Sequence, residues 1–364
     1  MRSGFPPSPL IAALVNPTRV ASLDAAERGL LFQRARRAGV IGRLALDLEA
    51  TGGLAALDEA SRNALEGAVR HYRYRRGLLA REVDLMTRDF VPFIEGPVVA
   101  LKGAAYLLTG SSAARGRISA DLDLLVSEDT IDAAADRLRE LGFRPHPDKD
   151  NPYDRLYYRR WMHELPPFEH GERHSELDLH FRILPRTHRY QPPIEKLLAN
   201  VVPAAGGWHV WSPADRVIHA ALHFLVDGEG THPVRHLLEL YDLLRDLPNA
   251  VEFREAVVAR ARRLGVVRPV LAALWLVDAT FGAVSGADGR LAHRSFAIAV
   301  PLAPARRAVL RMVAAEEGRG RAPLAGLFLY VRSHWLRMPP WLLARHLFVK
   351  WRWRRQRTAR TAAG

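Results

Sequence analysis

Apolar positions recur at helical spacing through roughly the first ninety residues, alternate in short runs over the next hundred, and then return to helical spacing. Leu23-Asp24-Ala25-Ala26-Glu27 opens one predicted helix, and Leu30, Leu31 and Ala35 continue its stripe. Leu65, Val69, Tyr72 or Tyr74, Leu78 and Leu79 predict another, with an Arg-rich opposite face. After the breaker-rich Val91–Pro97, the run Val98–Leu101 predicts a short buried strand, ended by Lys102-Gly103. Ala104–Leu108 predicts a short helix and Asp121–Val126 a second strand. The next helix is capped by Ser127 or Asp129, striped by Ile131, Ala135, Leu138 and Leu141, and closed by Gly142. Further strands are predicted at Leu156–Arg160 and at Glu176–Ile183, the latter stopped by Pro185. Pro213–Val226, Val234–Leu247, Phe253–Leu264 and Pro269–Phe281 each carry helical periodicity, and no internal repeat is present. The pattern divides the chain into an N-terminal helical region (1–90), an α/β core (91–185), a C-terminal helical domain (186–317) and a tail (318–364).

Period-2 geometry makes two of these strands informative. In Asp121–Val126, Leu122, Leu124 and Val126 share an apolar face, leaving Asp121, Asp123 and Leu125 on the other. In Glu176–Ile183, Leu177, Leu179, Phe181 and Ile183 form the apolar face, and Glu176, Asp178, His180 and Arg182 oppose it. Two carboxylates at i and i+2 of a strand are close enough to share divalent cations, which remove their mutual repulsion. A third carboxylate from the later strand completes an all-oxygen set that favours Mg²⁺ or Mn²⁺ over zinc. A second Asp-x-Asp, Asp148-Lys149-Asp150, lies in a polar loop beside Pro147 and Pro152 and reads as solvated surface.

Composition narrows the classes. The 364 residues include 53 Lys and Arg against 39 Asp and Glu, a formal net charge of +14. Eleven of the basic residues lie between Gly318 and Gly364, where no Asp or Glu occurs, so the remaining chain carries 14 − 11 = +3. The absence of cysteine excludes disulfide scaffolds, Cys-ligated zinc and cysteine nucleophiles. No P-loop and no Gly-x-Ser-x-Gly elbow is present. His219/His223 and His232/His236 have the i, i+4 spacing of zinc ligands but no His-Glu-x-x-His motif, and read as helix-packing histidines. Without a long apolar segment or a well-formed leader, the expectation is a soluble, cytoplasmic chain.

Three segments together resemble a known family: Val98-Val99-Ala100-Leu101-Lys102-Gly103-Ala104-Ala105-Tyr106, Arg117-Ile118-Ser119-Ala120-Asp121-Leu122-Asp123-Leu124-Leu125-Val126, and Leu138 to Phe143. They are similar to the uncharacterised bacterial nucleotidyltransferases of the DNA polymerase β-like superfamily. Leu177-Asp178-Leu179-His180-Phe181, Asp215–His219 and Leu237–Leu244 extend the likeness. The resemblance implies an α+β fold, a small mixed-sheet nucleotidyltransferase core flanked by N- and C-terminal helical regions. It also implies transfer of a nucleoside monophosphate from an NTP to an acceptor, with release of pyrophosphate. Asp121 and Asp123 would then hold a metal pair and Asp178 complete it, with Glu176 as the competing third ligand and His180 orienting Asp178 or the acceptor. The superfamily's usual Gly-Ser after the first strand is replaced here by Lys102-Gly103. Gly103 permits the tight turn, and Lys102 supplies a charge where the Ser hydroxyl is missing or simply ends the strand at the surface. Arg117 and Ser119 are candidate nucleotide contacts, Arg117 either forking onto phosphate or pairing with a carboxylate.

Acceptor identity is open on this reading: a sugar phosphate, a peptide, a protein or a tRNA end. The competing class is a catalytically degenerate module of the same fold that docks through its tail. Trp335, Trp341, Trp351 and Trp353 stand among the tail's arginines. That composition suits an anionic membrane surface, an RNA, or a helical hairpin packed on the core with a solvated end.

Overall fold

The computed structural model describes residues 8–119, 121–228, 231–282, 302–346, 348–349 and 352. The chain opens on α1 (Pro9–Val15), α2 (Ala25–Arg37), α3 (Ile41–Ala50) and α4 (Glu59–Asp89). Helix α2 begins where Asp24 and Glu27 accept each other's backbone N–H, a complete capping box. Asp58 caps α4, the longest described helix at 31 residues. The α/β region follows as β1 (Val99–Ala100), α5 (Lys102–Leu108), β2 (Asp121–Leu125), α6 (Ile131–Glu140), β3 (Phe143–Pro145), α7 (Pro152–Trp161), β4 (Phe168–His170) and β5 (Ser175–His180). Then come α8 (Ile194–Leu198), β6 (Val201–Pro203), β7 (His209–Trp211), α9 (Pro213–Leu222), α10 (Pro233–Arg245), α11 (Ala250–Arg263), α12 (Val267–Phe281), α13 (Ala303–Glu316) and α14 (Pro323–Arg337).

The seven strands form one mixed sheet in the order β3-β4-β5-β2-β1-β7-β6. Strands β2 and β5 run parallel at its centre, with Asp121 opposite Glu176, Asp123 opposite Asp178 and Leu125 opposite His180. Strand β1 is antiparallel to β2 and parallel to β7. The mixed α/β architecture with flanking helices is the expected fold class. One buried apolar cluster runs from Leu10 in α1 through the sheet to Leu329 in α14, so the helices and the sheet share a core.

One predicted strand is corrected. Residues Leu156–Arg160 lie inside helix α7, not in a strand. Asn151 caps α7 through a hydrogen bond from the Asp154 N–H, and Pro152 occupies its first position, where a missing N–H costs nothing. Tyr153, Tyr157 and Trp161 then recur every four residues and pack on Met338 and Leu342. That spacing is the inward stripe of a helix. Strands β3, β4, β6 and β7 are only three residues each, too short to show alternation. In the tail, 324–331 lies within α14, helical structure resumes over 340–346, and Lys350, Trp351 and residues 353–364 lie outside the described residues. Among the described residues, no helix is long and apolar enough to cross a membrane.

Two long-range contacts fix the loop that leads into β2. The Tyr72 hydroxyl of α4 donates to the Ala114 carbonyl at 3.1 Å. Gly116, at φ +73, lies so close to α3 that a Cβ there would fall 2.2 Å from the Arg43 nitrogen. We therefore expect Gly116→Ala to lower stability by about 2–4 kcal/mol, combining left-handed strain with a backbone clash. Gly96→Ala is the control: its φ is also positive (+83) but nothing stands within 4 Å, so only the strain, about 1–2 kcal/mol, applies. Urea denaturation of the two variants checks the difference, and equal losses would show that the α3 contact does not restrain the loop.

Candidate active site

The parallel register sets the carboxylates of β2 and β5 side by side on one face of the sheet. Asp123 is almost wholly buried, and its Oδ1 accepts from Lys102 Nζ at 2.7 Å. His180 Nε2 lies 3.1 Å from the same oxygen. Burial opposes the charge on Asp123, but the Lys102 ammonium and His180 outweigh it and hold the carboxyl well below its ordinary range. The same pairing raises Lys102 and His180 against their own burial. Asp178 has no such partner. Burial first, then the negative charges of Glu164, Asp123 and Asp121, push its carboxyl up to about 7 despite His180. Ligand atoms of Asp123, Asp178 and His180 all lie within 4.8 Å of one another, a spacing that fits one divalent cation. The excess negative charge on Asp178 is what such a cation relieves.

Asp121 is placed differently. It is half-buried one pleat upstream, opposite the exposed Glu176, and does not belong to the cluster formed by Asp123, Asp178 and His180. Burial and Asp123 raise its carboxyl. It borders a cleft of about 240 Å³ with Ser119, Glu176, Arg75, Arg81 and Arg173. The α4 arginines, on a helix face expected to be exposed, thus reach the mouth of the site. Arg75 Nη2 donates to the Ser119 carbonyl at 3.3 Å.

Lys102 holds a φ of +43, left-handed backbone that costs a non-glycine residue about 1–2 kcal/mol. The strain is retained at the residue whose ammonium reaches Asp123. Beside it, a Cβ on Gly103 would fall 2.0 Å from Ser119 Oγ, so only glycine lets the 117–119 loop lie against α5. Arg117 is close enough to Asp121 and Asp123 to feel their charge, but its ion pair is made elsewhere. Its guanidinium pairs with buried Glu239 of α10, whose other oxygen accepts from the Tyr106 hydroxyl at 2.6 Å.

Residues 24–282 match an uncharacterised nucleotidyltransferase family, more than two thirds of the chain. The chain belongs to that family. No curated protein and no solved structure matches it. This nucleotidyltransferase places its strand carboxylates, Lys102 and His180 around one buried point, and places Asp121, Glu176 and Ser119 at the adjoining cleft. In the second Asp-x-Asp, Asp150 pairs with Arg155 at 2.6 Å.

Sequence reasoning missed Glu164 and His163, which stand beside His180, and Glu239 of α10. None belongs to a spaced motif; the adjacent His163-Glu164 pair is the one local signal. His219 was read as a packing histidine and is buried in α9, where burial and then the charges on Lys102 and His180 push it down to about 3. It is therefore neutral at physiological pH. The helix continues into a π-helical turn over His223–Asp227, a distortion that recurs near functional sites.

Asp178 carries a pH signature. Its folded-state value lies above the ordinary 3.8, so the folded protein binds the extra proton, and stability is lost as pH rises toward 7. In chelator-treated protein, we expect Asp178→Asn to lose about 2 kcal/mol less than the parent between about pH 5 and pH 8. Parallel stability curves for the two proteins would show that Asp178 titrates normally.

Proposed function

We propose that the protein is a divalent-metal-dependent nucleotidyltransferase that moves a nucleoside monophosphate from an NTP to an acceptor hydroxyl and releases pyrophosphate. The observation that carries this reading is the juxtaposition of Asp123 and Asp178 by the parallel β2–β5 register, next to Lys102. Asp123 and Asp178 would hold Mg²⁺ or Mn²⁺, and Asp121 at the cleft would complete a metal pair when the triphosphate brings its own oxygens. Bound metal lowers the acceptor hydroxyl's pKa and neutralises charge on the triphosphate.

The chain's own groups supply the rest. An ammonium has three donors, and Lys102 directs one at Asp123, which leaves its charge positioned for a phosphate oxygen. Gly103 and Ser119 shape the turn that faces the triphosphate. Arg75 and Arg117 both border a small pocket with Gly103 and Ser119, but Arg117 is paired with buried Glu239 and holds that loop, while Arg75 also lines the wider cleft beside Asp121 and is the better phosphate contact. Asp178 would help activate the acceptor hydroxyl by holding the metal beside it. Calorimetry with each NTP tests this. Binding is expected only with Mg²⁺ or Mn²⁺ and is lost in the folded Asp121→Asn/Asp123→Asn variant. Nucleotide binding that survives in both chelator and the double variant would sink the reading, as would no binding of any NTP.

A specific surface favours a second reading, concerning where the enzyme works. Leu324, Leu327, Phe328, Val331 and Trp335 form one face of α14 and are 41–78% exposed, while Ala325, Leu329 and Ser333 bury the opposite side. With eleven basic and no acidic residues from Gly318 onward, this face fits an anionic membrane surface, where each Lys or Arg contributes about 1 kcal/mol. The full chain should sediment with phosphatidylcholine vesicles containing phosphatidylglycerol but not with pure phosphatidylcholine. Phe328→Ala/Trp335→Ala should weaken that binding by about tenfold, from the apolar area removed. Equal sedimentation with both vesicle types, or with neither, would count against it.

A further inference from the structure

After α7 the chain turns back along the C-terminal end of β5. Glu164 pairs with His180 in an antiparallel bridge, and the Leu165 N–H donates to the Leu179 carbonyl at 2.9 Å. The Phe181 N–H donates to the His163 carbonyl at 2.9 Å. These backbone bonds hold three side chains at one point, the two imidazole rings 5.3 Å apart between centroids. Glu164 Oε2 lies 3.3 Å from His180 Nδ1 and 3.6 Å from His163 Nε2. One ligand atom from each of the three falls within 4.8 Å of the others.

These separations are long for hydrogen bonds, whose N···O distances centre near ~2.9–3.0 Å. They are close to the edge of a tetrahedron built on metal–ligand bonds of ~2.0–2.1 Å, which is about 3.3–3.4 Å. His180 is 97% buried, and its Nδ1 has no hydrogen-bond partner although it is shielded from solvent. The ring's other nitrogen, Nε2, faces Asp123 Oδ1 at 3.1 Å. A carboxylate behind the far nitrogen is how ligating histidines are usually oriented.

We infer that His163, Glu164 and His180 form a binding site for a zinc-class divalent cation, separate from the oxygen-donor position between Asp123 and Asp178. Two imidazoles and one carboxylate suit zinc or cobalt and are poor ligands for Mg²⁺, which prefers oxygen and retains its waters. Three protein ligands leave a fourth position for water or a substrate oxygen. The two positions share His180, so a cation here also fixes the orientation of Asp123's partner. The inference stands independently of the nucleotidyl-transfer reading.

Tag-free, chelator-treated full-length protein is titrated with Co²⁺ and Zn²⁺. One equivalent of Co²⁺ should bind with the visible d–d absorption of a tetrahedral nitrogen-containing site, and Zn²⁺ in equimolar amount should bleach it. A large excess of Mg²⁺ should not. Glu164→Gln, nearly isosteric, and His163→Ala should each weaken Co²⁺ at least about tenfold, with folding checked by circular dichroism, while Asp121→Asn should leave the spectrum unchanged. No cobalt spectrum in folded protein would overturn the site and leave an ion-paired histidine network. So would Co²⁺ binding that survives both Glu164→Gln and His163→Ala. Mg²⁺-dependent NTP binding, measured on the same preparations, fails or persists independently and so tells a failure of this site from a failure of the nucleotide reading.

Discussion

A carboxylate withdrawn from water must be neutralised where it stands, and Asp123 places that demand on its surroundings. Two groups answer it: the Lys102 ammonium from the first residue of α5, and the His180 imidazole from the end of β5. Each carries its own cost. Lys102 keeps left-handed backbone to reach the carboxylate, and His180 is buried between Asp123 and Glu164. Both are over-determined by the sheet, because β1, β2 and β5 are hydrogen-bonded neighbours and cannot shift independently. With Lys102 and His180 committed to Asp123, Asp178 is left among the charges of Glu164, Asp123 and Asp121, which is why a bound cation would relieve the second aspartate.

Around that point the molecule is braced by ion pairs between elements far apart in sequence. Arg43 of α3 pairs with Asp242 of α10, Arg117 with Glu239 of α10, and Arg260 of α11 with Asp215 of α9. All six groups are largely buried, so losing one partner strands a charge and costs several kcal/mol rather than the fraction expected at a surface. The consequence for the site is positional. Helix α10 holds Arg117, Arg117 and Gly116 anchor the loop into β2, and the loop sets Ser119 against Gly103. The helical regions thus reach the chemistry by fixing one loop.

The alternation of acids in Asp121–Val126 and Glu176–Ile183 was legible because strand geometry alone dictates which side chains share a face. The helices were legible for the same reason, from the Leu23–Glu27 opening and from stripes such as Ile131, Ala135 and Leu138. The five residues Leu156–Arg160 are too short a window to separate strand from helix, and the stripe that decides it, Tyr153, Tyr157 and Trp161, extends beyond them on both sides. Three-residue strands such as β3 and β7 leave no period to detect.

The sequence by itself determined the two acidic strands and most of the helices, the charge asymmetry that concentrates eleven basic residues in the tail, and the family. Each rests on local spacing or residue identity. Which acids meet was decided by the tertiary structure. Asp123 joins Asp178 through strand register, Asp121 falls to the cleft, Arg117 turns to Glu239, and Glu164 arrives beside His180. Those outcomes depend on sheet pairing and on helices packed across more than a hundred residues of chain, which no local period encodes.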